Sequence, residues 1–199
     1  MELMLKEKID ISWGGGGGDI NSLSRYKIDL LEKSGCNKIM VGAESGSQRI
    51  LDIINKNIKV QQIMDINKKF SDSIINLNYN FMMGLPNETK QDSIQTINLM
   101  FNLMGKNKNL TTRLNIYNPY PSNELYFNSV KKGFKPPQSL IGWSNVERSQ
   151  PQLFWIKENI KKIPPLLFHV NDTRIFPKII RNVILNSFRK KMLNILEES

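Results

Sequence analysis

Val41 to Lys56 reads VGAESGSQRILDIINK. An apolar run stops at Glu44. Ser-Gly-Ser follows, and Ile50, Leu51, Ile53 and Ile54 then cluster as on one helix face. Strand, polar turn and helix make the unit of a parallel α/β fold. A buried strand that ends on a carboxylate poses the question of function. Glu44 either favours the N-terminus of the next helix electrostatically or meets a ligand.

Before this stretch, KIMVGA (38–43) reads as a buried parallel strand, apolar on both faces. Residues 21–34 carry helical spacing, with Gly35 placed to stop the helix. KIDISW (8–13) reads as a short strand. GGGGG (14–18) reads as a flexible loop, because glycine loses most entropy on ordering. It lacks the later glycine and the Lys-Ser/Thr of a phosphate loop.

After the opening stretch, helices are expected over 48–55 and 60–70, then a strand over 74–83 (IINLNYNFMM). GLPNET (84–89) is a turn, and Thr89 with Asp92 forms a capping-box pattern for a helix reaching Met104. TRLNIY (112–117) is the fourth strand, ended by the prolines of NPYPSNE. Crossover helices between short strands imply a parallel sheet of about four strands. The alternation ends near Gly133, with helices expected over 150–163 and 176–196. The division is an α/β core over 1–132 and a basic helical extension over 133–199.

The 199 residues suit about one domain. The formal net charge is +10, which points to an anionic partner. Between Lys157 and Lys191 the basic residues are opposed only by Glu158 and Asp172. Few aromatics interleave with them, so a nucleic-acid platform is not favoured; a solvated face is the plainer reading. The single cysteine, Cys36, makes no internal disulfide and no cysteine-rich metal site. The opening residues are charged, without an apolar signal core, and no run reaches the length of a membrane span. A cytoplasmic location is expected.

Ligands of parallel α/β folds sit at the carboxyl ends of the strands. There this sequence places Glu44, Ser45 and Ser47, then Asn80 and Gly84, then Asn118 and Tyr120. One acid, hydroxyls and amides suit a polar small molecule such as a ribose or an amino acid. No Ser-His-Asp arrangement is present. The lone histidine, His169, lies far from these loops and is expected to be packed or at the surface.

GCNKIMVGAESGSQRILDIINK, FMMGLPNETKQD and NPYPSNELY, in that order, resemble the second half of a radical S-adenosylmethionine enzyme core. The branch most similar in look often carries a cobalamin-binding domain and includes the anaerobic porphyrin cyclases. The resemblance implies a partial (β/α) barrel, S-adenosylmethionine, and a four-iron cluster held by Cys-x-x-x-Cys-x-x-Cys. Cleavage of the cofactor there yields a 5′-deoxyadenosyl radical. By the same resemblance, Glu44, Ser45 and Ser47 lie at the cofactor, and Lys56 lies near the methionine carboxylate. Asn80 contacts the ribose. Gly84, Leu85 and Pro86 shape the adenine end. Cys36 is a buried small residue before a strand.

Two departures follow. The cluster motif is absent, and the first two family strands have no counterpart. The first expectation is therefore a fragment or downstream half of a radical enzyme, inactive alone, with the missing half supplied in cis or in trans. Such a half barrel would bare an unpaired edge and apolar inner faces, and so associate. The second is a non-catalytic binding module whose basic tail meets nucleic acid or an anionic surface. The last is an ordinary β/α-barrel enzyme, for which only Glu44 offers acid–base chemistry. Cobalamin belongs to the full-length protein, and the substrate is unassigned.

Overall fold

Alternation along Cys36–Glu44, here β2, organises the sheet. Ile39, Val41 and Ala43 are buried, whereas Lys38, Met40, Gly42 and Glu44 are half-exposed. The structure is a computed structural model describing residues 1–23, 25–149, 153–158 and 160–198. Its elements are α1 (Glu2–Lys6), β1 (Trp13–Gly18), α2 (Arg25–Lys33), β2, α3 (Gln48–Ile53), α4 (Val60–Lys69), β3 (Asn76–Met83), α5 (Lys90–Lys106), β4 (Leu110–Ile116), α6 (Glu124–Lys131), α7 (Leu140–Ser149), α8 (Ile163–Asn171) and α9 (Lys178–Glu197).

The four strands are parallel and lie in the order β1-β2-β3-β4. Sequential order means that no crossover reverses direction. Right-handed crossovers then set the connecting helices on one face, and the sheet has the winding of a partial barrel. The helix-bearing face is the core. Leu77, Tyr79, Phe81 and Met83 of β3 are fully buried there, with Ile28, Ile50, Leu51, Ile63, Ile97 and Met100 from the helices. The buried Tyr79 hydroxyl donates to the Ile63 carbonyl of α4 at 2.9 Å, so it carries no unpaired polar group.

The capping box is as read. The Thr89 hydroxyl accepts from the Asp92 amide, and the Asp92 carboxylate accepts from the Thr89 amide at 2.8 Å.

Four expectations are corrected. The first strand is not 8–13: it is Trp13 with the five glycines. Parallel pairing with β2 supplies the hydrogen bonds that glycine itself does not favour. The close approach excludes side chains at some of these positions. A β-carbon on Gly14 would lie 2.6 Å from Asn37 Oδ1, and one on Gly18 would lie 2.9 Å from Ile39 Cδ1. Second, KIMVGA is apolar on only one face. Third, the inner face is not a bared apolar surface. Beside Met40 and Met82 it carries Lys38, Glu44, Asn76, Asn78, Asn80, Thr111, Arg113 and Asn115.

The β4 edge is also covered, by α8. The Asn171 side chain accepts from the Thr112 amide at 3.0 Å and donates to the Thr112 carbonyl at 2.8 Å. A carboxamide thus does the work of a neighbouring strand's peptide group. Fourth, the helix expected over 150–163 is not formed at 153–158. Residues 150–152 and 159 lie outside the described residues. α7 and α8 flank this segment instead. Pro164 and Pro165 sit in the first turn of α8, where the missing amide protons cost nothing.

α9 packs against α5 and α8 packs against β4 and α9. Among the described residues, no helix is long and apolar enough to cross a membrane.

Candidate functional site

β2 ends in a bulge. Gly42 pairs with Asn80, and the next paired residue, Glu44, pairs with Phe81. Glu44 has φ +60°, a left-handed conformation that costs a side-chain-bearing residue roughly 1–2 kcal/mol. The bend places its carboxylate beside Lys56, whose Nζ donates to Glu44 Oε1 at 2.9 Å. Lys56 is aimed by its neighbours. Asn55 and Asn57 both have φ +53°, and asparagine tolerates this region better than most residues. A β-carbon on Gly42 would lie 2.2 Å from Glu44 Oε1 and 2.9 Å from Lys56 Nζ. The ion pair therefore lies across the bare backbone of Gly42, on the inner face. Its side chains remain 18% and 31% exposed, within reach of a solute.

Asn80 stands beside Gly42 in register, and Arg113 of β4 stands beside Asn80. Beyond them the inner face carries Met82 and Asn115. Asn118, just past β4, has a buried Oδ1 without a hydrogen-bond partner. One layer below, toward the strands' amino ends, Asn78 Nδ2 donates to Thr111 Oγ1 at 2.7 Å. Thr111 Oγ1 in turn donates to Asn76 Oδ1 at 3.2 Å. This chain leaves Asn78 Oδ1 unpartnered, and Asn78 lines a cavity of about 440 Å³ between the inner face and α8.

Ser45 and Ser47 lie elsewhere. Both are buried and build the turn from β2 into α3 against α5. Ser45 Oγ shares a hydrogen bond with Thr96 Oγ1 at 3.1 Å, and the Gly46 amide donates to Thr96 Oγ1 at 3.0 Å. Ser47 is the N-cap of α3, and its hydroxyl donates to Asp92 Oδ1 at 2.5 Å. Asp92 also accepts from the Arg49 guanidinium and from Thr89. Burial alone would raise its pKa, but the bonds from Arg49, Ser47 and Thr89 hold it well below the usual carboxylate range. Glu44, by contrast, does not cap α3; Ser47 does.

Gly84, Leu85 and Pro86 form the turn after β3. Gly84 has φ +81°, and a β-carbon there would lie 2.1 Å from Ile156 Cδ1. From inside, Glu88 Oε2 accepts from the Gly84 amide at 2.5 Å and the Leu85 amide at 3.2 Å, while Ser93 Oγ donates to Glu88 Oε1. From outside, Trp155 Nε1 donates to the Gly84 carbonyl at 2.9 Å. The turn is thus clamped on both sides.

Burial pushes the Glu88 carboxyl up to about 7, against the bonds from Gly84, Ser93 and Leu85. A carboxyl raised in the folded state binds protons more tightly there than in the unfolded chain. Its contribution is therefore lost as pH rises from the ordinary carboxyl range through about 7. Unfolding free energy from urea titrations falls by about 3 kcal/mol between pH 4.5 and 7.5 through this group. Glu88→Gln removes that slope; a slope unchanged in the variant contradicts the assignment.

Cys36 is buried, and its Sγ lies 3.5 Å from the Lys38 carbonyl, to which it donates. Burial raises its pKa. His169 is on α8, exposed. Among the described residues, no group of three or more His, Cys, Asp or Glu gathers as a metal site. Of the residues expected to meet a ligand, the structure brings together Glu44, Lys56 and Asn80. It places Gly84–Pro86 at the next strand end. Arg113 was missed, although period-two alternation along β4 puts it on the same face as Asn115.

An uncharacterized methyltransferase of Pyrococcus horikoshii is 30% identical over 158 residues, covering 79% of this chain and 33% of that protein. The chain thus spans about a third of the curated relative it matches. The solved structure of coproporphyrinogen III oxidase from Escherichia coli, described as a radical SAM enzyme, aligns with TM-score 0.52 at 16% identity. The alignment covers 74% of this chain and 35% of that one. It supports the fold. A cobalamin-dependent S-adenosylmethionine radical enzyme, OxsB, aligns at TM-score 0.43 and 17% identity over 66% of this chain and 18% of that one, too low to carry an argument. The model of the Radical SAM superfamily matches residues 2–100, which takes in β1 to β3 with the Glu44–Lys56 pair, and over that stretch the chain is similar to this superfamily.

Proposed function

We propose that this chain supplies S-adenosylmethionine-binding strands to a radical S-adenosylmethionine enzyme whose cluster cysteines come from outside this sequence, in cis or in trans. The superfamily implies S-adenosylmethionine and a four-iron cluster. The cluster does not fit the residues here: it needs three thiolates, and the one cysteine is buried with a raised pKa. S-adenosylmethionine fits in chemical type. The observation that carries the reading is the Glu44–Lys56 pair lying across Gly42 beside Asn80.

A zwitterionic amino acid can enter such a pair and leave no charge unmatched. Its ammonium goes to Glu44 and its carboxylate to Lys56. Asn80 accepts from, or donates to, a ribose hydroxyl, and the clamped Gly84–Pro86 turn borders the adenine. When bound with its cluster, the cofactor supplies the radical chemistry; this chain's residues orient it. Methyl transfer is the reaction class we assign to the whole protein, because the relative from Pyrococcus is named a methyltransferase. Cobalamin, on this reading, is held outside these strands.

The test is equilibrium dialysis of the chain against labelled S-adenosylmethionine. Glu44→Gln and Lys56→Gln each weaken binding by about tenfold or more, the worth of one charge-assisted hydrogen bond. Affinity unchanged in both variants rejects the reading. The alternative, a binding module for anions, is favoured by one separate observation: Lys106 of α5 and Arg189 of α9 line one trough with no carboxylate among its described lining residues.

A further inference from the structure

The outer face of α5 carries Asn98, Asn102 and Lys106 at i, i+4 and i+8. Facing it, α9 carries Asn182, Asn186 and Arg189 at i, i+4 and i+7. These spacings line up one row on each helix. The helices run antiparallel. Arg189 Nη1 donates to Asn98 Oδ1 at 3.1 Å at one end, and Arg181 Nη2 donates to the Asn107 carbonyl at 3.3 Å at the other. The rows line a trough of about 470 Å³, with Phe101 and Leu185 also contributing to its wall. No carboxylate is among its described lining residues.

Two guanidinium groups here are incompletely used. Arg189 Nε is buried without a hydrogen-bond partner. Arg181, only 5% exposed and beside the trough rather than in its lining, also has an unpartnered Nε. Neither is ion-paired to a carboxylate among the described residues, although a buried cation is ordinarily matched by an anion.

We propose that this trough binds a nucleotide-sized ligand through a chain of phosphates. Lys106 lies eight residues beyond the Asn98 level where Arg189 sits, about 12 Å along the helix axis. One carboxylate cannot meet cations so spaced. A linear polyphosphate can, with the asparagine amides donating to the oxygens between. The volume lies within the range of small-ligand sites. The site is on the opposite side of the sheet from the Glu44–Lys56 pair and needs neither the cofactor nor the cluster.

Isothermal titration with inorganic tripolyphosphate at low salt tests it. One saturable site is expected. Lys106→Gln, an exposed position that leaves the fold intact, weakens it by about tenfold, and Lys106→Gln with Arg189→Gln by about a hundredfold. Lys190→Gln with Lys191→Gln removes the same charge from α9 outside the trough and changes affinity by less than about threefold. The proposal is overturned by any of three results: no saturable binding, an equal loss in the control pair, or binding of a single-stranded oligonucleotide without tripolyphosphate binding.

Discussion

Asp92→Ala lowers the unfolding free energy by about 3 kcal/mol in urea titrations at pH 7, with an unchanged dependence on urea. Asp92 is a hub. It caps α5 with Thr89, accepts from the Ser47 N-cap of α3, and pairs with Arg49. Truncation leaves the buried Ser47 hydroxyl, the exposed Thr89 cap and the Arg49 guanidinium short of a partner, together worth about 3 kcal/mol. Arg49 is half exposed, so water recovers part of its loss and the upper end of the range for buried pairs does not apply. Asp92→Asn keeps the shape but loses the charge, and loses about half as much. The pH dependence has a definite sign. A carboxylate held low contributes above the ordinary carboxyl range and ceases to contribute as acid protonates it. Together with the opposite slope of Glu88, this makes stability greatest in mildly acidic solution. A loss under about 1 kcal/mol for Asp92→Ala would mean that Thr96 and Ser45 hold the turn unaided.

Gly46→Ala costs a similar amount by a different route. A β-carbon at Gly46 would lie 2.6 Å from Thr96 Cα and 2.7 Å from Gln95 O. These are backbone atoms of α5, so no side chain can swing aside. The turn after β2 must lift off α5, at roughly 3 kcal/mol. In a chain of this size that lowers Tm by about 6–12 °C. Gly16→Ala and Gly17→Ala make the contrast. Nothing lies within 4 Å of a β-carbon at either position, and neither φ is positive. Calorimetry should show them neutral or slightly stabilising. Equal losses at all three positions would show that close packing at Gly46 is not the cause.

The two outcomes bear on how much a reader of the sequence can see. β2 to β4, the Thr89–Asp92 box and the long final helix were legible, because period and capping chemistry are local. β1 was not. Glycine has no propensity to display, and its strand exists only because β2 presents a ladder to it. The mid-chain helix was misplaced for a related reason: the prolines at 164 and 165 start a helix here, where they read more readily as ending one. At the site, Glu44, Lys56 and Asn80 could be named from motif resemblance. Their meeting could not. It depends on three left-handed residues and a bulge, which no spacing rule announces. Ser45 and Ser47 share a motif with Glu44, yet they face α5, because the bulge divides the turn between two sides of the sheet.

The carboxamide of Asn171 gives the sheet a direction of growth. At β4 the Thr112 peptide is already satisfied, so a further strand arriving there must first displace a side chain held by two bonds. At β1 the outer ladder has no partner among the described strands, and its five glycines present no side chains to select among arrivals. Recruitment of another strand, from this polypeptide or another, is thus biased to one end, and the end that is open is also the less discriminating. A molecule built this way relies on the identity of what arrives, rather than on its own edge, to complete the barrel correctly.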